Sequence, residues 1–311
     1  LGEASVVFDL KAATRTPPKV VKVRVRRYNP ESGSSWWQEY EVETYRGMTV
    51  LDALLRVKAE RDHSLVFRYS CRMGVCGSCG LVVNRRPRLA CQTQIAEVAS
   101  ERRHVVELEP LYNFRVLRDL VTDFTEFFGK HRAVKPYIMR RDVREREEPT
   151  LEYSQTLDEL AEYYEYSLCI SCGLCDAACP VYASDPNFLG PQALTQAYRY
   201  VADTRDELWE ERLRLLDVEG SIFKCHFAAS CSAVCPKMVD PAGAIQRLRS
   251  TLLKYKIRLY RKTRIAKVVP PMEKREPPKP LPPEATLVEG VDLKLIEEEK
   301  PVIPVEKLLT T

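Results

Sequence analysis

The spacing of apolar and polar positions changes once along the chain, and the change separates two kinds of structure. In "KVVKVRVRRY", residues 19–28, apolar and charged side chains alternate, the period of a strand with one buried face. "WWQEYEVETY", residues 36–45, alternates in the same way, and "NPESG" between them reads as a turn. "SVVFDL", residues 5–10, reads as an earlier strand. Thr49 is placed to cap a helix with Leu51, Leu54 and Leu55 on one face, and Asp52 completes a capping box. "RYSCRMGVCGSCG" is rich in Gly and Cys and reads as loop, while "LVVN" and "VVELEPL" are short strands on either side of "LACQ".

From residue 151 the period becomes helical. Thr156 and Glu159 form a capping box ahead of "LDELAEYYEYSL". Pro191 opens a helix with Ala193, Leu194, Ala197, Tyr198 and Val201 on one side. A further helix is expected from Asp206 to Leu216, with Gly220 beyond its end. Asp240-Pro241 gives an N-cap and a proline at the first helical position of a last helix carrying Ile245, Leu248 and Leu252. Between the two patterns, "RDVREREEPT" is dense in charge and without period. The expected division is a mixed α/β domain over 1–115, a connector over 116–150, a helical domain over 151–260 and a tail over 261–311, an α+β chain. The tail is basic at first and then Pro-rich, so it reads as an extended arm, either disordered or ordered on a partner.

Composition narrows the function classes. The net charge of +4 gives no reason to expect nucleic acid as a partner. No apolar run approaches the roughly 18 residues of a membrane span. Residues 1–19 lack a basic segment followed by an apolar one, so no signal peptide is expected, and membrane association is expected only through a partner or a surface. Eleven cysteines cannot all pair internally, and their short spacings suit metal better than bridges. A reducing compartment follows as the expectation.

The cysteines fall into three groups. Cys71, Cys76, Cys79 and Cys91 match the C-x4-C-x2-C…C pattern of a plant-type [2Fe–2S] cluster, with Gly74, Gly77 and Gly80 letting the backbone wrap the inorganic sulfides. A four-cysteine zinc site is the alternative, although zinc loops usually begin C-x2-C. "CISCGLCDAACP", residues 169–180, has the C-x2-C-x2-C-x3-C-P run of two-cluster ferredoxins, whose fourth cysteine serves the other cluster. "CHFAASCSAVCP", residues 225–236, repeats the frame with Ala228 at the second cysteine position. On that pattern Cys169, Cys172, Cys175 and Cys235 hold a [4Fe–4S] cluster. Cys179, Cys225 and Cys231 remain, and three thiolates with an alanine at the fourth corner point to [3Fe–4S]. The alanine is expected to keep that corner dry. A zinc reading of the chain as a stabilised scaffold leaves three cysteines over.

No acid–base or nucleophile constellation stands out. His63, His104 and His131 are scattered and read as surface or core residues, and His226 adjoins Cys225. "KYKIRLYRKTRIAK", residues 254–267, holds seven basic residues and no acidic one, which suits a solvated helix end or contact with anionic lipid headgroups.

"RYNPE", "WWQEYEVE", "GMTVLDALL", "CRMGVCGSC", "LAC", "CISCGLCDAACP" and "CPKMVDP" together resemble the iron–sulfur subunit of succinate dehydrogenase/fumarate reductase, respiratory complex II, over roughly residues 5–260. The resemblance implies a plant-type ferredoxin β-grasp domain followed by an all-α, bacterial-ferredoxin-like domain. It implies a flavoprotein partner carrying FAD, membrane anchor subunits and a quinone. Electrons would pass from FAD through the [2Fe–2S], [4Fe–4S] and [3Fe–4S] clusters to that quinone, at the cytoplasmic face of a prokaryotic membrane. Family positions near the quinone fall on Pro180, His226, Phe227, Ala228, Gln246 and Arg249; simple packing for Phe227 and a solvated helix face for Arg249 are the plainer readings. After Cys179-Pro180 the chain runs Val181, Tyr182, Ala183, where many ubiquinone-linked members carry Trp, and this part looks more like fumarate reductases.

Overall fold

The alternation in residues 20–28 is met by a strand with one face in the core. β1 (Val20–Tyr28) buries Val21, Val23 and Val25 completely and leaves the intervening charges on the other face. It pairs antiparallel with β2 (Ser35–Glu43) across the 30–32 turn. The structure is a computed structural model that describes residues 16–100, 102–142, 152–217, 222–262 and 264–269. The strand expected at 5–10, Gly220, most of "RDVREREEPT" and the Pro-rich arm lie outside them.

β1 also pairs in parallel with β5 (Val105–Glu109), which pairs antiparallel with β3 (Gly80–Val83), and β4 (Arg86–Leu89) completes a five-stranded sheet of order β2-β1-β5-β3-β4. The helix Val50–Glu60 closes one face with Val50, Leu51, Ala53, Leu54 and Val57, and its Thr49–Asp52 capping box is present in full. A mixed sheet whose parallel pair, β1 and β5, lies between antiparallel neighbours, with one covering helix, is the ferredoxin β-grasp. β4 escaped the sequence reading because "RPRL" lacks strand-forming residues, and its pairing with β3 supplies what propensity does not.

A buried ionic knot fixes the run into the first cysteine loop. Arg27, 4% exposed, donates to Asp119 Oδ1 at 2.9 Å, to Asp62 Oδ2 at 2.5 Å and to the Tyr40 hydroxyl at 2.9 Å. Asp119 Oδ2 accepts from Val66 N at 2.9 Å, a few residues ahead of Cys71. Burial pushes the Asp62 carboxyl up, but hydrogen bonds from Ser64, Tyr40 and Arg27 overcome it and hold the group well below the usual carboxylate range.

Residues 111–142 are more structured than a connector without period would be. β6 (Val116–Arg118) and β7 (Val121–Thr122) form a small hairpin, and a helix spans Thr125–Ala133. Phe114 stacks on Phe124 at 4.8 Å, and Phe124 meets Phe127 edge-on at 5.2 Å.

The helical half is built around Pro191–Ala202, whose predicted apolar side is buried at every named position. The helix Pro241–Lys256 packs on it with Ile245, Leu248 and Leu252, and Asp240 caps it by accepting from Gly243 N. The helix expected from Asp206 begins at Trp209 instead. Asp206 is held out of it, turned inward to Arg212 Nη2 at 2.8 Å with both side chains fully buried. After Lys256 the chain folds back. Tyr260 packs edge-on against Trp209, Ala266 N donates to Thr204 O at 2.8 Å, and β9 (Val268–Val269) pairs antiparallel with β8 (Glu152–Tyr153). Lys262 and Arg264, two cations of the run read as a solvated helix end, are therefore used internally. Lys262 Nζ donates to the Asp203 and Asp206 carbonyls, and Arg264 pairs with Glu159 at 3.0 Å. No helix among the described residues is long and apolar enough to cross a membrane.

Candidate iron–sulfur sites

The first cysteine group sits in a loop whose amides turn inward. Arg72, Gly74 and Gly77 all have positive φ, at 58°, 70° and 74°. That backbone aims Met73, Val75 and Cys76 N–H groups at Cys71 Sγ (3.5, 3.3 and 3.3 Å) and Gly74 N at Cys91 Sγ (3.2 Å). Cys91 N reaches Cys79 Sγ at 3.5 Å. Inward amides stabilise sulfur that carries negative charge. The Cys71 amide holds the Cys76 thiol down at about 6, while burial pushes Cys79 up to about 12.

The other seven cysteines line two cavities. One, with about 390 Å³ of open space, is lined by Cys169, Cys172, Cys175 and Cys235. The other, with about 350 Å³, is lined by Cys179, Cys225 and Cys231 together with Pro180, His226, Phe227 and Ala228. The last cysteine of each run lines the cavity of the other run's cysteines. The two loops share one backbone path. Ser171 and Phe227, each two residues past the first cysteine, have φ of 52° and 56°; Gly173 and Ala229, each four past it, have 76° and 56° and start the short helices Leu174–Ala177 and Ser230–Ala233. Ala228 thus stands where Cys172 stands in the other loop. It is exposed on this chain, so it lies at the rim of its cavity. The neighbouring apolar surface of Phe223 and Phe227 is exposed as well.

Two helix N-termini stand between the cavities. Pro191 lines the three-cysteine cavity, and Gln192 and Thr195 the four-cysteine one; Pro241 lines the latter, and Ala242 and Ile245 the former. Their partial positive charge favours added electrons on either side. The donor sets fit clusters better than single ions. Burial pushes Cys172 and Cys231 up to about 12 and Cys175 well above the ordinary thiol value, so several clustered thiolates need a cationic core to be stable there. Among the described residues no three His, Cys, Asp or Glu side chains are arranged to hold one metal ion. The sulfurs surround a volume instead of meeting at a point.

The first site lies directly against the second. A Cβ on Gly77 would come within 2.8 Å of Cys172 Cβ and 3.0 Å of its Cα. Leu174 and Ala177 belong to the core of the β-sheet half, and Asn113 Nδ2 donates to the carbonyls of Asp176, Ala177 and Cys179 at 2.9, 3.1 and 3.2 Å.

The remaining named residues separate. Gln246 and Arg249 do not line the three-cysteine cavity. Arg249 is turned inward, donating to the carbonyls of Ile222, Phe223 and Cys225 at 3.0, 3.3 and 2.9 Å, so it clamps the cysteine loop and is not a solvated helix face. His63 bonds its own loop, His104 is exposed, and His131 is half-buried against Gln192. Sequence reading passed over Asp176, which is 1% exposed beside Cys175 and pushed by burial to about 7. A charged residue inside the apolar "LCDA" turn was the available signal. It also passed over Gln192, at the start of a helix that periodicity marks only by its apolar side.

Fold and sites define an iron–sulfur electron carrier with a plant-type and a bacterial-type ferredoxin half. Residues 22–129 match the 2Fe-2S iron-sulfur cluster binding domain family, and residues 165–239 the 4Fe-4S dicluster domain family. The fumarate reductase iron-sulfur subunit of Mycobacterium tuberculosis is 44% identical over 235 residues, 74% of this chain and 92% of its own. A mitochondrial succinate dehydrogenase [ubiquinone] iron-sulfur subunit of Oryza sativa is 38% identical, covering 78% of each chain. Among solved structures, a chain of the Mycobacterium smegmatis Sdh1 complex matches with a TM-score of 0.66 at 28% identity, over 78% of this chain and 98% of that one. The chain belongs to the succinate dehydrogenase/fumarate reductase iron–sulfur subunit family, the electron-transfer part of an oxidoreductase complex.

Proposed function

We propose that this chain is the electron relay of a succinate:quinone oxidoreductase, linking FAD on a flavoprotein subunit to a membrane quinone. In this reading Cys71, Cys76, Cys79 and Cys91 hold a [2Fe–2S] cluster, Cys169, Cys172, Cys175 and Cys235 a [4Fe–4S], and Cys179, Cys225 and Cys231 a [3Fe–4S]. The clusters supply one-electron chemistry; the chain supplies spacing, N–H donors and burial. The observation that carries the reading is the division of seven cysteines into cavities of four and three, with Ala228 at the place of a fourth ligand.

The two cluster-bearing domains are residues 1–115 and 151–260, with 116–150 joining them and 261–311 as the tail. Pro180, His226, Phe227 and Ala228 form the quinone-facing wall of the three-cysteine cavity, Arg249 supports the loop behind it, and Gln246 stands on the same helix, Pro241–Lys256. That wall meets anchor subunits at the cytoplasmic face of the membrane. Leu253, Ile257 and Leu259 are exposed among Lys254, Arg258 and Arg261, a surface suited to anionic lipid beside the anchor. A second reading, a fumarate reductase running in the opposite direction or with a non-quinone donor, is favoured as far as the fumarate reductase name goes by the relatives at 42–44% identity.

The test is Ala228→Cys in the purified complex. Wild type is expected to hold roughly nine irons per chain and a three-iron EPR signal. The variant is expected to gain iron, exchange that signal for a four-iron one and lower the centre's potential. A persisting three-iron signal in the variant removes the assignment of that corner. Turnover with succinate and with fumarate separates the two directions.

A further inference from the structure

We infer that Arg249 is a positioning residue for the three-cysteine centre: clamped behind the loop of Cys225, it brings a positive charge that raises the centre's reduction potential and draws electrons to that end of the relay. The inference rests on the reading that Cys179, Cys225 and Cys231 hold a [3Fe–4S] cluster.

Arg249 stands on the helix Pro241–Lys256, one turn beyond Ile245, which lines the three-cysteine cavity. Its side chain turns back to the loop that supplies Cys225. Nη2 donates to three carbonyls there, and the shortest bond, 2.9 Å, goes to Cys225 O itself. The guanidinium carbon lies 5.7 Å from the centre of the Phe223 ring. Nε is buried with no hydrogen-bond partner among the described residues. All of these contacts are to neutral groups. The cations nearby differ: Lys224 pairs with Asp185, and Arg247 lies 3.6 Å from Glu162. Among the described residues Arg249 has no carboxylate within ion-pair distance, so its charge is not cancelled locally.

A guanidinium stays charged in a folded protein. A cluster that accepts an electron becomes more negative, so a fixed cation beside it favours the reduced state. A unit charge roughly 10 Å away, at an effective dielectric of about 20, changes such an equilibrium by about tenfold. Arg249 is half-buried, which leaves its field less screened than that of a cation in open water. The carbonyls by themselves do not call for charge, because a neutral amide would also donate to them. A clamp therefore depends on N–H groups, while a shift in potential depends on charge, and lysine and glutamine separate the two.

The experiment is an EPR-monitored redox titration of the intact complex. Arg249→Gln, which keeps N–H donors and loses the charge, is expected to lower the midpoint of the three-iron centre by about tenfold in its reduction equilibrium, which is about 59 mV for one electron. The [2Fe–2S] midpoint is expected to stay in place. Arg249→Lys, which keeps the charge and can still donate to the carbonyls, is expected to hold the three-iron midpoint close to wild type. Arg249→Met, unbranched and of similar length, repeats the neutral measurement if the glutamine variant fails to fold. A three-iron signal at the wild-type midpoint in either neutral variant overturns the inference. So does a lysine variant that falls as far as the neutral ones, because the residue would then act only as a clamp. Absence of a three-iron signal from the wild-type complex sinks the underlying ligand assignment instead, and the inference with it.

Discussion

Gly77 offers a direct measure of how tightly the two halves are pressed together. Its replacement by alanine carries two separable penalties. The backbone sits at φ +74°, where an L side chain costs roughly 1–2 kcal/mol. The new Cβ would also lie 2.8 Å from Cys172 Cβ and 3.0 Å from Cys172 Cα, and the latter is backbone that cannot swing aside. Forced overpacking of this kind costs about 1–3 kcal/mol more. Gly47 isolates the first penalty, because it has φ +84° and nothing within 4 Å of its would-be Cβ. Gly47→Ala is thus expected to lose about 1–2 kcal/mol and Gly77→Ala about 2–5 kcal/mol. Urea unfolding followed by tryptophan fluorescence, alongside bleaching of visible absorption, reads both. Only the second variant should release its clusters at lower urea than the fluorescence midpoint of wild type. Equal losses in the two variants would refute the claim that close approach at Cys172, and not local backbone geometry, fixes Gly77.

Three further expectations concern the helical half. Arg212→Met strands Asp206 in the core and leaves the Tyr137 carbonyl without its 3.2 Å partner, so a loss of about 3–5 kcal/mol in urea is expected, partly recovered by adding Asp206→Leu. Burial holds Lys262 at about 8, below the ordinary lysine value of about 10.4. Between those pH values the unfolded chain binds the extra proton, so this residue's contribution makes stability rise with pH across that window, and Lys262→Met should flatten the rise in urea melts. At the other extreme, the depressed Asp62 carboxyl contributes stability that is present above about pH 4 and lost as pH falls towards its folded value; Asp62→Asn should remove that part of the acid dependence.

Legibility followed the range of the forces involved. The Thr49–Asp52 and Thr156–Glu159 capping boxes and the apolar side of Pro191–Ala202 are local, and the sequence states them outright. The cysteine grouping was readable because cluster chemistry imposes spacing. What stayed hidden depends on partners far along the chain. β4 exists through its ladder with β3, Asp206 leaves its helix for Arg212, and Arg249 turns in to carbonyls more than twenty residues away. The cations of residues 254–267 looked uniform because charge counts say nothing of direction; Lys262 faces inward and Arg258 outward.

The exchange of last cysteines between the two runs also bears on how the protein is made. While a nascent chain has emerged only through residue 224, the first run is complete in sequence, yet neither pocket has its full set of sulfurs. The pocket of Cys169 waits for Cys235, and the pocket of Cys179 waits for Cys225 and Cys231. On the proposed ligand sets, loading of both centres would wait until the second run has left the ribosome and docked, and a chain truncated between the runs would lack a full set of sulfurs for either.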